Sequence, residues 1–265
     1  MKVAAVQMPH GPSLEENLAT ARTMLVDAAA RGAEIALLPE YWFQPPLPPA
    51  EAAAAVSESI AREDELLAFL ADASTATGMA VVGNTLNRTA AHLRNVLRVA
   101  DAGRIAWSQP KLHPMPGERG WGVQGGPRIV AHPQRGAVVG GLVCADILYP
   151  EAARILALRG AEVVLNPVLS AWRADDPTRA AREAVFVARA WDGACFVVKA
   201  GGFYPGRIAG RSLVASPWGL LARYRDEFEP EVLVADLDLD ALREFRKEQR
   251  GLQERRPDAY GGLVE

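Results

Sequence analysis

Short apolar segments alternate with Ala-rich helical segments through the first two-thirds of this chain. That alternation restricts the possible folds more than any other feature. Val3 to Met8 is a near-continuous apolar run, the pattern of a buried strand. Ser13 follows as an N-cap, with Glu16 three residues on to complete a capping box. The helix runs to Arg31 and Gly32 closes it. Glu34 to Leu38 is a second short strand. Ala61 to Thr77 reads as a helix stopped by Gly78, and Met79 to Val82 as strand again. Units of this kind build α/β folds.

Antiparallel pairing intervenes. Asn95 to Ala100 and Arg104 to Ser108 flank Asp101-Ala102-Gly103, a hairpin signal. Ala137 to Val143 (strand), Tyr149 to Arg159 (helix) and Glu162 to Leu165 (strand) come next. Pro177 to Trp191 is a helix with proline in its first turn. Cys195 to Lys199, Ser212 to Ala215, Leu220 to Tyr224 and Glu231 to Asp236 follow as strands, and Asp238 to Gln249 as the last helix. The fold class is mixed α/β, not a strictly alternating barrel. Two stretches have no period. Pro45 to Pro49 is a rigid loop, and Gln109 to Gly126, rich in Gly and Pro, is a long loop of the kind that often carries function.

Composition narrows the class further. At 265 residues, 49% hydrophobic and 23% charged, the chain can bury a substantial core. No repeat or low-complexity linker divides it, so residues 1–265 are expected to form a single domain, with 250–265 as a C-terminal tail. A net charge of -3 without a Lys/Arg cluster argues against a nucleic-acid partner. The N-terminus reaches Pro9 and Gly11 too soon for a signal peptide, and no apolar run is long enough to span a bilayer. Cys144 and Cys195, the two cysteines, make neither a disulfide scaffold nor a zinc pattern. The expectation is a cytoplasmic protein with no metal and no cofactor.

Three residues can carry chemistry, each at a strand end. Glu40 follows the apolar run Ile35 to Leu38 and Pro39, at the edge where open α/β sheets place their sites. Alone it reads as a solvated loop carboxylate. Lys111 opens the long loop and alone reads as a surface lysine. Its neighbour His113 has no obvious carboxylate partner in the sequence. Cys144 ends the strand Gly140-Gly141-Leu142-Val143 where the chain turns into a helix. Free N–H groups and the positive end of a helix there would lower a thiol pKa and stabilise an oxyanion. Cys195, inside Ala194-Cys195-Phe196-Val197-Val198, reads as a small buried hydrophobe. Together Glu40, Lys111 and Cys144 supply a base, a cation and a nucleophile for amide hydrolysis through a thioester.

In that order the blocks resemble the nitrilase superfamily of carbon–nitrogen hydrolases over nearly the whole chain. The blocks are Val3 to Met8, Leu37-Leu38-Pro39-Glu40, Lys111-Leu112-His113, and Gly141 to Glu151 around Cys144. Asn166-Pro167, Ser170-Ala171-Trp172, Arg189-Ala190, Gly210-Arg211-Ser212 and Leu233 to Asp238 then follow. The resemblance implies a four-layer α-β-β-α sandwich. It implies Glu40 as general base, Lys111 as stabiliser of the oxyanion and Cys144 as nucleophile, with the Ala145 N–H completing the oxyanion hole. It makes Glu118 a second glutamate that orients substrate or lysine, and it places Trp172 at the pocket rim, where core or dimer packing is the alternative.

The sequence departs from the family's pattern around the pocket. Ala145 stands where many members carry Tyr, Trp191-Asp192-Gly193 replaces x-Glu-Asn, and Ala200-Gly201 replaces a common Asn. The expected substrate is a small linear amide or N-carbamoyl compound. A nitrile, or a non-catalytic binding or assembly role, is the alternative. A Cys–His protease would need an oriented histidine, and His10, His92, His113 and His132 lie in no such motif. Leu237, Leu239, Leu242 and Phe245, with the tail Leu252 to Leu263, suggest an uncovered apolar surface and hence a homodimer or larger homo-oligomer.

Overall fold

A computed structural model describes residues 1–45, 52–171 and 173–263. In chain order the elements begin with β1 (Lys2–Gln7), α1 (Leu14–Ala30), β2 (Ile35–Leu37), α2 (Ala53–Ala61) and α3 (Glu63–Thr77). There follow β3 (Ala80–Arg88), β4 (Leu93–Asp101), β5 (Arg104–Pro110), α4 (Pro116–Gly120), β6 (Ala131–Gln134) and β7 (Ala137–Gly141). Then come α5 (Pro150–Leu158), β8 (Val163–Val168), β9 (Ser170–Ala171), α6 (Arg179–Gly193), β10 (Phe196–Gly201) and β11 (Ile208–Ala209). The chain continues through β12 (Leu213–Ser216), β13 (Gly219–Arg223), β14 (Glu231–Asp236), α7 (Leu239–Glu248) and the short α8 (Arg250–Gln253).

Two six-stranded sheets result, ordered β14-β1-β2-β3-β4-β5 and β13-β12-β10-β8-β7-β6. Each has a parallel centre, β1-β2-β3 in one and β7-β8-β10 in the other, with antiparallel strands outside. The period-two alternation of strands decides which side chains go where. Val3 and Ala5 of β1 meet Val139, Leu165 and Val198 between the sheets. Ala4 and Val6 face the other way, onto Leu25 of α1 and Leu66 and Leu70 of α3. On the far side of the second sheet, Val164 and Val197 pack on Leu156 of α5 and Phe186 and Ala190 of α6. This is the α-β-β-α sandwich expected from the resemblance.

Local signals hold where they are strong. Ser13 Oγ accepts from the Glu16 N–H at 3.2 Å, and α3 ends on Gly78 at φ +70°, a left-handed conformation that suits glycine. Several boundaries differ from expectation. The helix expected over 61–77 is α3, which starts at Glu63; it is preceded by α2, which was not expected, and the two are separated at Arg62, whose guanidinium bonds Glu15, Glu58 and Glu65. The long loop contains α4, and β6 pairs with β7 where no strand was expected. Pro46 to Pro49 lie outside the described residues.

One expectation is corrected. Leu237 and Leu242 do not form an uncovered surface: both are buried, and Leu239 packs against the inter-sheet core. Phe245 sits against Trp191 and Trp218, ring centroids 6.0 and 5.6 Å away. Exposed apolar area lies at Leu148, Leu158, Trp191, Trp218 and Leu221, and within the expected tail at Leu263. Among the described residues, no helix is long and apolar enough to cross a membrane.

Candidate active site

Glu40, Lys111, Glu118 and Cys144 come together from four separate stretches of chain. Glu40 follows β2, Lys111 follows β5, Glu118 lies in α4, and Cys144 begins a short 3₁₀ turn (Cys144–Leu148) just beyond β7. The first sheet therefore supplies the carboxylate and the lysine, and the second supplies the thiol.

Lys111 is buried between two carboxylates. Its Nζ donates to Glu40 Oε1 at 2.8 Å and to Glu118 Oε2 at 2.6 Å. Asn95 Nδ2, from the middle of β4, bridges the same pair at 2.9 and 3.0 Å. Glu118 also accepts from Tyr41 Oη at 2.7 Å and from the Met115 N–H at 2.8 Å. Glu40 Oε2 accepts from the Leu169 N–H at 3.3 Å, and Cys144 Sγ lies 3.8 Å from the Leu169 carbonyl. Glu40 lies close enough to the thiol to act on its titration.

The electrostatics separate the two glutamates. Burial, reinforced by the like charge of Glu118, raises Glu40 above the usual carboxylate range, against the pull of Lys111. Burial pushes Glu118 the same way, but Lys111, Asn95 and the Met115 N–H outweigh it and hold Glu118 low. Lys111 loses stability as a cation by burial, yet the Glu40 and Glu118 carboxylates keep it firmly protonated. One carboxylate is thus a fixed anion and the other is the more basic of the pair.

The thiol behaves differently from expectation. A lowered pKa at the start of a helical turn was anticipated. Burial and the neighbouring Glu40 instead push the Cys144 thiol up, and Lys111 only partly offsets them. The resting thiol is protonated and needs a base beside it. Its backbone is held at φ 49°, an uncommon region for a residue with a Cβ and one that marks strained functional turns. Asn166 of β8 secures the turn by donating to the carbonyls of Leu142 and Cys144. Arg189 of α6 donates to the Ile147 carbonyl at 3.1 Å. The next residue, Ala145, sits at the second position of the turn, where a helical N–H has no partner within the helix.

His113 does have a carboxylate partner, contrary to the sequence reading. Its Nδ1 lies 2.9 Å from Asp146 Oδ1, and its ring stacks on Tyr149 at 3.6 Å. Asp146 also accepts from the N–H groups of Leu112, His113 and Val143. Trp172 lies outside the described residues. Sequence reasoning missed Asn95, Tyr41, Asp146 and Leu169, which brace the cluster.

Cys144 and Ala145 open onto a cavity of about 400 Å³ whose walls include Met115, Leu169, Phe186, Lys199 and Arg211. A wider, open depression between α6 and β13 adjoins it and does not reach Cys144. A concave site with convergent polar groups and perturbed titrations is the arrangement of an enzyme centre.

The family model for carbon–nitrogen hydrolases matches residues 2–247, and the chain belongs to that family, whose members act on carbon–nitrogen bonds. A nitrilase from Pyrococcus abyssi is 29% identical over 255 residues, 93% of each chain. A carbon–nitrogen hydrolase from Helicobacter pylori G27 shares the fold with a TM-score of 0.90 at 21% identity, covering 100% of this chain and 98% of that one. An amidase from Nesterenkonia sp. AN1 superposes with a TM-score of 0.84 at 25% identity, covering 100% of this chain and 97% of that one. In that structure the acetamide moiety of fluoroacetamide is covalently added at the active-site cysteine.

Proposed function

We propose that this enzyme hydrolyses the C–N bond of a small linear amide or N-carbamoyl compound through a thioester on Cys144. The observation that carries the reading is the buried Lys111 ammonium held between the carboxylates of Glu40 and Glu118, at the side of a cavity onto which the Cys144 thiol opens.

Glu40 takes the proton from Cys144 Sγ as sulfur attacks the carbonyl carbon. The carbonyl π electrons move to oxygen, and the oxyanion is held by Lys111 Nζ and the Ala145 N–H. Collapse breaks the C–N bond, Glu40 passes its proton to the leaving nitrogen, and ammonia departs. Water then enters and attacks the thioester carbon as Glu40 takes its proton; collapse breaks the C–S bond and releases the acid, and Glu40 returns the proton to sulfur, restoring the thiol and the carboxylate. Glu118 does not exchange protons; it keeps Lys111 charged and aimed.

Nitrile hydrolysis by the same residues is the second reading, favoured by the Pyrococcus abyssi nitrilase that matches over 93% of this chain. Ammonia release from a panel of small amides, N-carbamoyl amino acids and nitriles, with Cys144→Ala as control, tests both. Release that survives Cys144→Ala would remove the mechanism. The same proposal places residues 1–265 in a single domain with 250–265 as a tail. It also includes a cytoplasmic homodimer or larger assembly through the exposed apolar residues of α5, α6 and β13. Sedimentation giving only a 28.5 kDa species would refute the assembly.

A further inference from the structure

Two asparagines sit diagonally across β3 and β4 where the first sheet faces the second. Asn84 lies opposite Leu97, and Asn95 is two residues before Leu97, so both share the face of Val82, Leu97 and Val99 in the core between the sheets. Both are wholly buried. An apolar residue would need no partner there, whereas a buried amide must satisfy its oxygen and its NH₂ group separately.

Their hydrogen bonds run in one direction. The Tyr41 main-chain N–H donates to Asn84 Oδ1 at 2.8 Å, and Asn84 Nδ2 donates to Asn95 Oδ1 at 2.8 Å. Asn95 Nδ2 then donates to Glu40 and Glu118. A main-chain N–H can only donate, so Asn84 must turn its oxygen to Tyr41 and its NH₂ group to Asn95. That polarity is the one the carboxylates need from Asn95, and hydrogen bonds aligned in series strengthen one another. Tyr41, which follows Glu40 directly, begins the series with its N–H and meets its far end with Oη, which donates to Glu118. Neither asparagine lines the cavity of Cys144.

We propose that Asn84 is a positioning residue: by meeting the oxygen of Asn95 it holds the Asn95 NH₂ group against the Glu40 and Glu118 carboxylates. This rests on the role of Glu40 as base proposed above. The titratable groups facing Glu40 are Lys111 after β5, Glu118 of α4, the Cys144 thiol and the Tyr41 hydroxyl. Without Asn84, the Asn95 oxygen is a buried acceptor without its donor, and the grip of Asn95 on both carboxylates weakens. A carboxylate that loses a donor holds its proton more tightly, so Glu40 ionises at higher pH.

The test follows alkylation of the Cys144 peptide by iodoacetamide against pH, which needs no turnover. The rate is expected to rise through the titration of Glu40, and Glu40→Gln to abolish that rise. Asn84→Leu is expected to move it to higher pH by about 0.5–1 unit, the worth of one neutral hydrogen bond, slowing alkylation on the acid side about three- to tenfold. In the Asn95→Leu background the same change should move it no further. Asn84→Ser carries the same comparison where the leucine variant does not fold. A rise that stays in place in both Asn84 variants would overturn the role of Asn84 and leave Glu40 as base. A full shift that persists in the Asn95→Leu background would also overturn it, because Asn84 would then act through the Tyr41 main chain. A rise that survives Glu40→Gln would remove Glu40 as base, and the positioning role with it.

Discussion

Asp146, two residues after the candidate nucleophile, grips His113, two residues after the candidate lysine. Its Oδ1 accepts the His113 N–H at 2.8 Å and lies 2.9 Å from the ring Nδ1. The same carboxylate accepts from the N–H groups of Leu112 and Val143. One wholly buried side chain thus ties the strand end that carries Lys111 to the turn that carries Cys144. Asp146→Ala leaves several buried donors without partners, each costing about 1–3 kcal/mol when unsatisfied. Urea unfolding is expected to show a loss of at least about 2 kcal/mol. An unchanged midpoint would mean that water replaces the carboxylate.

Removal of Glu40, the proposed base, should be costly without unfolding the protein. Glu40→Gln keeps the shape and the contact with Asn95, and turnover is expected to fall about 10²–10⁴-fold, the usual scale of general-base catalysis. Lys111→Ala is expected to be as severe. The double variant should lose little more than either single one, because the two residues act in one step. Additive losses in steady-state kinetics would assign them to separate steps.

On the mechanism proposed above, the acid limb of the pH profile reports Glu40. The base works when ionised, so kcat/KM rises with pH through the Glu40 pKa, which burial and Glu118 hold above the usual value. Glu118→Gln removes a like charge and leaves Lys111 to Glu40 alone, so both effects lower that pKa. The limb is expected to move to lower pH even as the rate falls. A shift to higher pH, measured with an uncharged amide, would exclude Glu40 as the group titrating.

The two thiols differ in access more than in acidity. Both are pushed up by burial, Cys195 to about 12, but only Cys144 opens onto the cavity and has a carboxylate beside it. Limiting iodoacetamide followed by peptide mapping is expected to label Cys144 first, and Glu40→Gln to slow that labelling. Preferential modification of Cys195 would count against Cys144 as nucleophile.

Gly201 explains one departure from the family's pattern. A Cβ there would lie 1.8 Å from the Gly210 carbonyl oxygen, so β10 and the segment leading to Arg211 approach too closely for the common Asn. Gly201→Ala is expected to cost about 1–3 kcal/mol by overpacking. It should also displace Arg211, whose carbonyl Lys199 holds. Thermal unfolding checks the first effect. An undiminished melting temperature would mean that the segment moves aside.

Glu40 and Cys144 were legible as candidates because each closes an apolar strand, and Lys111, alone a surface lysine, because the three make a chemically complete set in blocks that resemble the family's. The capped helix α1 and the strands around it were legible for similarly local reasons. Asn95 was not, because a polar residue within a strand is ordinarily read as facing solvent, and here the face is interior. The direction of the Cys144 shift was hidden because burial is a property of both sheets, not of the turn that carries the thiol. Leu237 and Leu242 show the converse error: their spacing looks like a free helical face, and the core between the two sheets absorbs it.

The division of the cluster between two sheets has a consequence for the nascent chain. Before the sheets dock, Cys144 is an ordinary exposed thiol, open to oxidants and electrophiles but with no lysine or glutamate near it. Docking withdraws it from solvent, raises its pKa and gives it one neighbour able to take its proton. Hydrolytic competence and chemical discretion therefore arrive in the same event. A chain that fails to close its core carries a thiol that reacts indiscriminately and hydrolyses nothing.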